Sequence, residues 1–186
     1  MSDDMELYDQ FLLGDNEAFE RLVARYGLKI IWFINGYVHN IDVAEELMED
    51  TFCDLIFYKN RYQKRSLFKT YLFSIAKHKA IDYIRKNSRH QTIPYESCYN
   101  YVSNDSNILK EITKEDDKQY VYKGLGKLKE DYRSVLYLFY FENMSYAEIA
   151  RTIGKTEKQV KNLLYNAKIV LKSVLESDGF KYEELF

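Results

Sequence analysis

In 186 residues there is a single proline, Pro94, and only seven glycines. These two residues punctuate a chain most strongly, because they supply the backbone angles on which tight turns depend. A chain this poor in both has few places to reverse over a short distance. Its abundance of Leu, Glu, Lys and Tyr suits long helices instead. The expected class is all-α.

Apolar spacing points the same way. Phe19, Leu22, Tyr26, Ile30, Phe33 and Tyr37 recur at steps of three and four, which predicts an amphipathic helix over about 16–37 with Asp15 as its N-cap. A second is expected over about 42–57, burying Ala44, Leu47, Met48, Phe52, Leu55 and Ile56. A third should run over about 67–86 on Phe68, Leu72, Ile75, Ala76 and Tyr83. Three such stripes can close a helical core. From about 87 to 107 the periodicity lapses into Ser, Asn, Gln, Tyr and Pro94, the composition of a linker. Helical character returns near Ile108, and 128–175 reads as a further compact unit. The expected organisation is two small helical domains, 1–90 and 116–178, joined by a flexible linker at 91–115.

The stretch "MSYAEIARTIGKTEKQVKNLLYNAKIVL" reads as helix, tight turn, helix. Ser145 with Glu148, and Thr156 with Gln159, each form an S/T-x-x-E/Q capping box, which marks both helix starts. Ala150 is small where two helices must cross closely, Gly154 can take a left-handed turn, and Val160 anchors the second helix. That spacing is the helix-turn-helix spacing. Its second helix would present Thr156, Glu157, Lys158, Lys161, Asn162 and Tyr165 outward, a polar set suited to a major groove.

The formal net charge of -2 conceals a strong asymmetry. Residues 1–58 carry 13 Asp and Glu against 3 Lys and Arg, and residues 59–90 carry 10 Lys and Arg against Asp82 alone. Within the acidic half, Glu46, Asp50 and Asp54 stack at i,i+4 beside Asp42, Glu45 and Glu49, with no Lys or Arg interleaved. Like charges so placed destabilise a helix by about 0.2–0.5 kcal/mol per pair, so the face suggests a basic partner surface. In the basic half, Arg61, Lys64, Arg65, Lys69, Lys77, Lys79, Arg85, Lys86 and Arg89 are spaced to track a phosphate backbone. Tyr62 and Tyr71 are candidates to stack on unpaired bases.

Several function classes recede. The longest apolar runs, 30–34 and 135–141, fall far short of the roughly 20 residues that span a bilayer, and the acidic N-terminus has no basic leader region, so a cytoplasmic protein without membrane partners is expected. Cys53 and Cys98 make neither metal-ligand spacing nor a disulfide framework. Glu45, Glu46 and Glu49 invite the thought of a Mg-dependent nuclease, but no His or nucleophile accompanies them. No metal, cofactor or catalytic residue is expected, and the chain is read as a non-enzyme. A stand-alone helix-turn-helix regulator, binding duplex as a dimer, is the alternative.

Taken in order, these constellations resemble the extracytoplasmic-function sigma factors over nearly the whole chain. The family's opening pattern D-x-x-A-F-x-x-L-x-x-x-Y is matched by Asp15, Ala18, Phe19, Leu22 and Tyr26, and its D-L-V-Q-E-x-F by "ELMEDTF". Its F-x-x-W-L-x-x-I-A-R-N-x-A-I-D-x-x-R is matched by Phe68, Tyr71, Leu72, Ile75, Ala76, Lys77, His78, Ala80, Ile81, Asp82 and Arg85. Leu128, Arg133, Val135, Leu136, "SYAEIA" and "VKNLLYNAK" complete the C-terminal match. The resemblance implies promoter-specific transcription initiation. Glu45, Glu46, Glu49, Asp50 and Asp54 would dock on the clamp of the largest subunit of core RNA polymerase. Arg61, Tyr62, Lys64, Arg65, Tyr71, Lys77, His78, Arg85 and Lys86 would recognise and melt the minus-ten element, holding its non-template strand, with the loop from Arg61 to Ser66 as the rim of a base pocket. The second C-terminal helix would read the minus-thirty-five duplex. An anti-sigma factor is a further candidate partner. Glu46, Glu49, Tyr71, His78, Leu163 and Asn166 stand where the family usually carries Asp, Gln, Trp, Asn and two Arg.

Overall fold

The computed structural model describes residues 3–88 and 124–177. All regular structure among the described residues is helical. They group into two compact units. The first holds α1 (Asp3–Leu12), α2 (Asn16–Val38), α3 (Ile41–Phe57), a 3-10 turn (Lys59–Arg61) and α4 (Phe68–Ser88). The second is built around α5 (Glu130–Leu136), which runs into a π-helical turn (Tyr137–Phe141), then α6 (Tyr146–Ile153) and α7 (Glu157–Ser177). The expected linker at 91–115, with Pro94 and Cys98, lies outside the described residues, as does Arg89.

The first unit is organised on α2, which packs against α1, α3 and α4. Its inward stripe is Ala18, Leu22, Tyr26, Ile30, Phe33, Ile34 and Tyr37, all buried. Removing each large member from water stabilises the fold by roughly 1.5–3 kcal/mol relative to an exposed position. The helix starts where expected: the Asp15 carboxylate accepts from the Ala18 N–H at 3.1 Å. It stops at His39, which takes a left-handed φ of 53° while its N–H donates to the Asn35 carbonyl. One residue later the Asn40 side chain accepts from the Val43 N–H at 3.2 Å and starts α3. Two helices are thus turned with no glycine or proline between them.

α3 contributes Ala44, Leu47, Phe52 and Leu55, and α4 contributes Phe68, Leu72, Phe73, Ala76 and Ala80. Phe33 and Phe73 meet edge to face at 5.1 Å. Two details differ from the sequence expectation. Ile56 is 39% exposed, because Leu55 fills the inward position and the next residue is turned about 100° away. Phe19, Met48, Ile75 and Tyr83 are half-buried at the edges of their stripes.

α1 is an addition. Its Leu7, Tyr8 and Phe11 are buried, but a stripe of three residues is too short to declare a helix by periodicity alone. It is fastened to α2 through Arg25, which reaches Asp4 and, at 2.6 Å, Asp3, while the Tyr26 hydroxyl donates to Asp4 at 2.6 Å.

In the second unit α5 packs on α7. Val160, Leu164, Ala167, Leu171 and Leu175 line the inward face of α7 at helical spacing. Arg133, a position carried by the family resemblance, is 9% exposed and serves the fold. Its guanidinium donates to the carbonyls of Leu125 at 2.7 Å, Gly126 at 2.8 Å and Leu128 at 2.7 Å. One planar cation therefore gathers the backbone that leads into α5.

Candidate nucleic-acid interface

The acidic residues sort themselves along α3. Glu46, Glu49 and Asp50 are exposed, and Glu45 is half-buried. Asp54 is half-buried and pairs with Lys79 of α4 at 3.0 Å. The compensating cation invisible within α3 itself is thus supplied from a neighbouring helix at the C-terminal end of the row. The N-terminal part keeps a one-sign surface.

Beyond α3 the chain makes its 3-10 turn and then a loop without regular structure before α4. Arg61 and Arg65 are exposed on it, as are His78, Arg85 and Lys86 further along α4, while Lys77 is half-buried. Arg85 lies 3.6 Å from Asp82. Tyr62 departs from the expected base-stacking role: it is buried, with its hydroxyl donating to the Ser66 carbonyl at 2.7 Å. Its ring stacks on Tyr71 at 4.9 Å and meets Phe68 and Tyr8 edge-on at 5.8 and 5.5 Å. Burial pushes the Tyr8 and Tyr62 hydroxyls up to about 12 and raises that of Tyr71 as well. Tyr71 is half-buried and keeps part of its surface outward.

Lys64 also has an unexpected partner. Its ammonium lies 2.7 and 2.8 Å from the two carboxylate oxygens of Asp9 on α1. Its φ is 56°, in the left-handed region that side-chain-bearing residues seldom occupy.

The open aromatic surface sits a few residues earlier than expected. Phe57 is 78% exposed, and the Arg61 guanidinium lies 3.8 Å from the centre of the half-exposed Tyr58 ring. Ile56 to Arg61 line a shallow basin there. The signal in the sequence was slight: Phe57 and Tyr58 lie just past Ile56, the last residue of the inward stripe expected for this helix.

In the second unit both capping boxes form. The Ser145 N–H donates to Glu148 at 2.8 Å and the Glu148 N–H to Ser145 Oγ at 3.3 Å. The Thr156 N–H donates to Gln159 at 2.8 Å and the Gln159 N–H to Thr156 Oγ1 at 3.3 Å. Between them Gly154 takes φ 70° and the Lys155 N–H reaches the Ala150 carbonyl at 2.9 Å. Thr156, Glu157, Lys158, Lys161, Asn162 and Tyr165 are all exposed along the first turns of α7. This is a helix-turn-helix with its polar edge presented outward.

Comparison with known proteins agrees with this geometry. Residues 22–90 match the Sigma-70 region 2 family and residues 118–171 the Sigma-70, region 4 family. The chain belongs to the extracytoplasmic-function sigma factors. Among its relatives are the RNA polymerase sigma factor YlaC of Bacillus subtilis, 27% identical over 84% of this chain and 91% of that protein, and the ECF RNA polymerase sigma factor SigM of the same species, 26% identical over 84% and 94%. The ECF RNA polymerase sigma-E factor of Escherichia coli is 26% identical over 89% and 90%. Solved structures share the fold: CnrH, in complex with the cytosolic domain of CnrY, with a TM-score of 0.68 and 23% identity over 95% of this chain and 99% of that one. The sigma factor RpoE from Bartonella quintana, in complex with the anti-sigma factor NepR, has a TM-score of 0.65 and 20% identity over 86% and 98%. As a sigma factor, the protein directs promoter-specific transcription initiation. No helix among the described residues is long and apolar enough to cross a membrane.

Proposed function

We propose that this sigma factor divides its work among three surfaces and catalyses no reaction of its own. Glu46, Glu49 and Asp50 dock on a basic surface of core RNA polymerase, the largest-subunit clamp. Arg61, Arg65, Lys77, His78, Arg85 and Lys86 steady the separated non-template strand of the minus-ten element. Phe57, Tyr58 and the open side of Tyr71 offer the rings on which its unpaired bases stack, at about 1–3 kcal/mol per base. Thr156, Glu157, Lys158, Lys161, Asn162 and Tyr165 read the minus-thirty-five duplex. The observation that carries this reading is the separation of sign within one helical unit: a row of exposed carboxylates on α3, followed at once by exposed cations and aromatic rings on the next turn and loop.

The chain works in the cytoplasm, where its polymerase is. An anti-sigma factor is a fitting regulator, since two proteins of the same fold were solved bound to partners, one described as an anti-sigma factor. The test is co-elution with core polymerase followed by run-off transcription on a promoter library. Reversing charge with Glu46→Lys and Asp50→Lys should remove co-elution. Arg61→Ala with Arg65→Ala should leave co-elution intact and slow promoter opening about tenfold or more. Variants that fail alike in both assays would overturn the division of labour.

A further inference from the structure

Resting on the minus-ten assignment just made, we propose that α1, which lies outside the 22–90 family match, is a positioning element for promoter recognition: Asp9 and Tyr8 fix the shape of the 59–66 loop and so set which base that loop accepts.

The geometry is that of a strut. One end of α1 is tied to the scaffold helix α2 through Asp3, Asp4 and Arg25. Its other end touches the loop four times, one of them the Tyr8 ring edge-on to Tyr62 at 5.5 Å. The fully buried Tyr8 donates from its hydroxyl to the Lys59 carbonyl at 3.0 Å, across 51 residues of sequence. The Lys59 ammonium stands over the Phe11 ring at 4.6 Å. Asp9 takes the Lys64 ammonium on both of its oxygens. Lys64 is the residue with the left-handed φ, so the carboxylate grips the loop at the point where the backbone is turned against its preference. Arg61 and Arg65 flank that point, and the directions in which they project follow from it.

An exposed ion pair contributes little to overall stability. What this one fixes is direction, and a pocket's discrimination between bases depends on direction more than on the number of cations present. Asp9 is therefore a positioning residue that touches no DNA.

The full-length chain with core polymerase should be assayed for run-off transcription and open-complex formation on a promoter pool randomised through the minus-ten element. Thermal melting and core co-elution are followed in parallel. Asp9→Asn is expected to melt and co-elute like the parent, to lower open-complex formation at least fivefold, and to flatten the base preference. Asp9→Glu should restore both, as should the exchanged pair Asp9→Lys with Lys64→Asp. Tyr8→Phe should reproduce the flattening, and comparison at equal occupancy of folded protein removes any effect of its lower stability. Two results overturn the inference. One is an Asp9→Asn variant with unchanged preference and rate. The other is a variant that opens promoters faster, which means that Lys64 acts on the strand directly and Asp9 only competes for it. Failure of the parent chain to initiate at all is a different outcome: it removes the function assignment itself, and this inference with it.

Discussion

Tyr8, Tyr62 and Tyr71 meet beside Phe68, and two of their hydroxyls spend their protons on backbone carbonyls, those of Lys59 and Ser66. In the folded state the Tyr8 and Tyr62 protons are held up to about 12, whereas the unfolded chain releases them near 10. Their contribution to stability is complete below pH 10 and is lost as pH rises from 10 through about 12, because the unfolded state alone sheds protons there. Urea midpoints taken across that window should fall steeply for the parent and less steeply for Tyr8→Phe and Tyr62→Phe. Arg133 is the other residue whose role is decided by burial. Its replacement by Met keeps much of the bulk but strands three backbone carbonyls, at about 3 kcal/mol or more in total. A loss of that size in the second unit, with the melting of the first unchanged, is the expected result of differential scanning calorimetry. A transition in which both units lose stability equally would contradict it.

At the level of elements, helix ends are the most legible features and the loop the least. Asp15, Ser145 with Glu148, and Thr156 with Gln159 act where their spacing places them, because a cap is a local bargain between a side chain and a backbone three residues away. Ser145→Ala or Thr156→Ala should each cost about 1 kcal/mol, and Gly154→Ala about 1–2 kcal/mol through its positive φ alone, since nothing stands within 4 Å of the added carbon. Chemical denaturation with an unchanged slope checks both. The inward stripes of α2, α3 and α4 were equally readable, and each erred only at its margin, as Ile56 does. Three facts were not readable. α1 was too short to announce itself, Lys79 reaches Asp54 from another helix, and the Lys64–Asp9 contact joins residues 55 apart in sequence. The last two are long-range contacts that no window of periodicity contains. The same blindness assigned Tyr62 to the surface: an aromatic in a basic run looks like a stacking platform until the neighbours that bury it are known.

For the molecule as a whole, a net charge of -2 means that duplex DNA is met with little long-range attraction, despite the cations at 59–90. The chain alone should bind a promoter duplex no better than about micromolar at physiological salt, within the range of non-specific association. On the proposed division of labour, its two units should gain effective concentration for their two elements once bound to polymerase, and discriminate sharply. Fluorescence anisotropy with and without core enzyme measures the difference, and nanomolar binding by the chain alone would favour a free-standing regulator. The row of carboxylates on α3 carries a corollary for the life of such a molecule. Glu46 and Asp50 repel each other along one turn of a helix that stays intact all the same, so an unaccompanied copy holds a small internal tension that docking on the proposed cationic host would relieve. Solitary copies should then open along α3 sooner than engaged ones and meet proteases more often. The cellular stock of this chain would be trimmed toward the amount of enzyme able to shelter it.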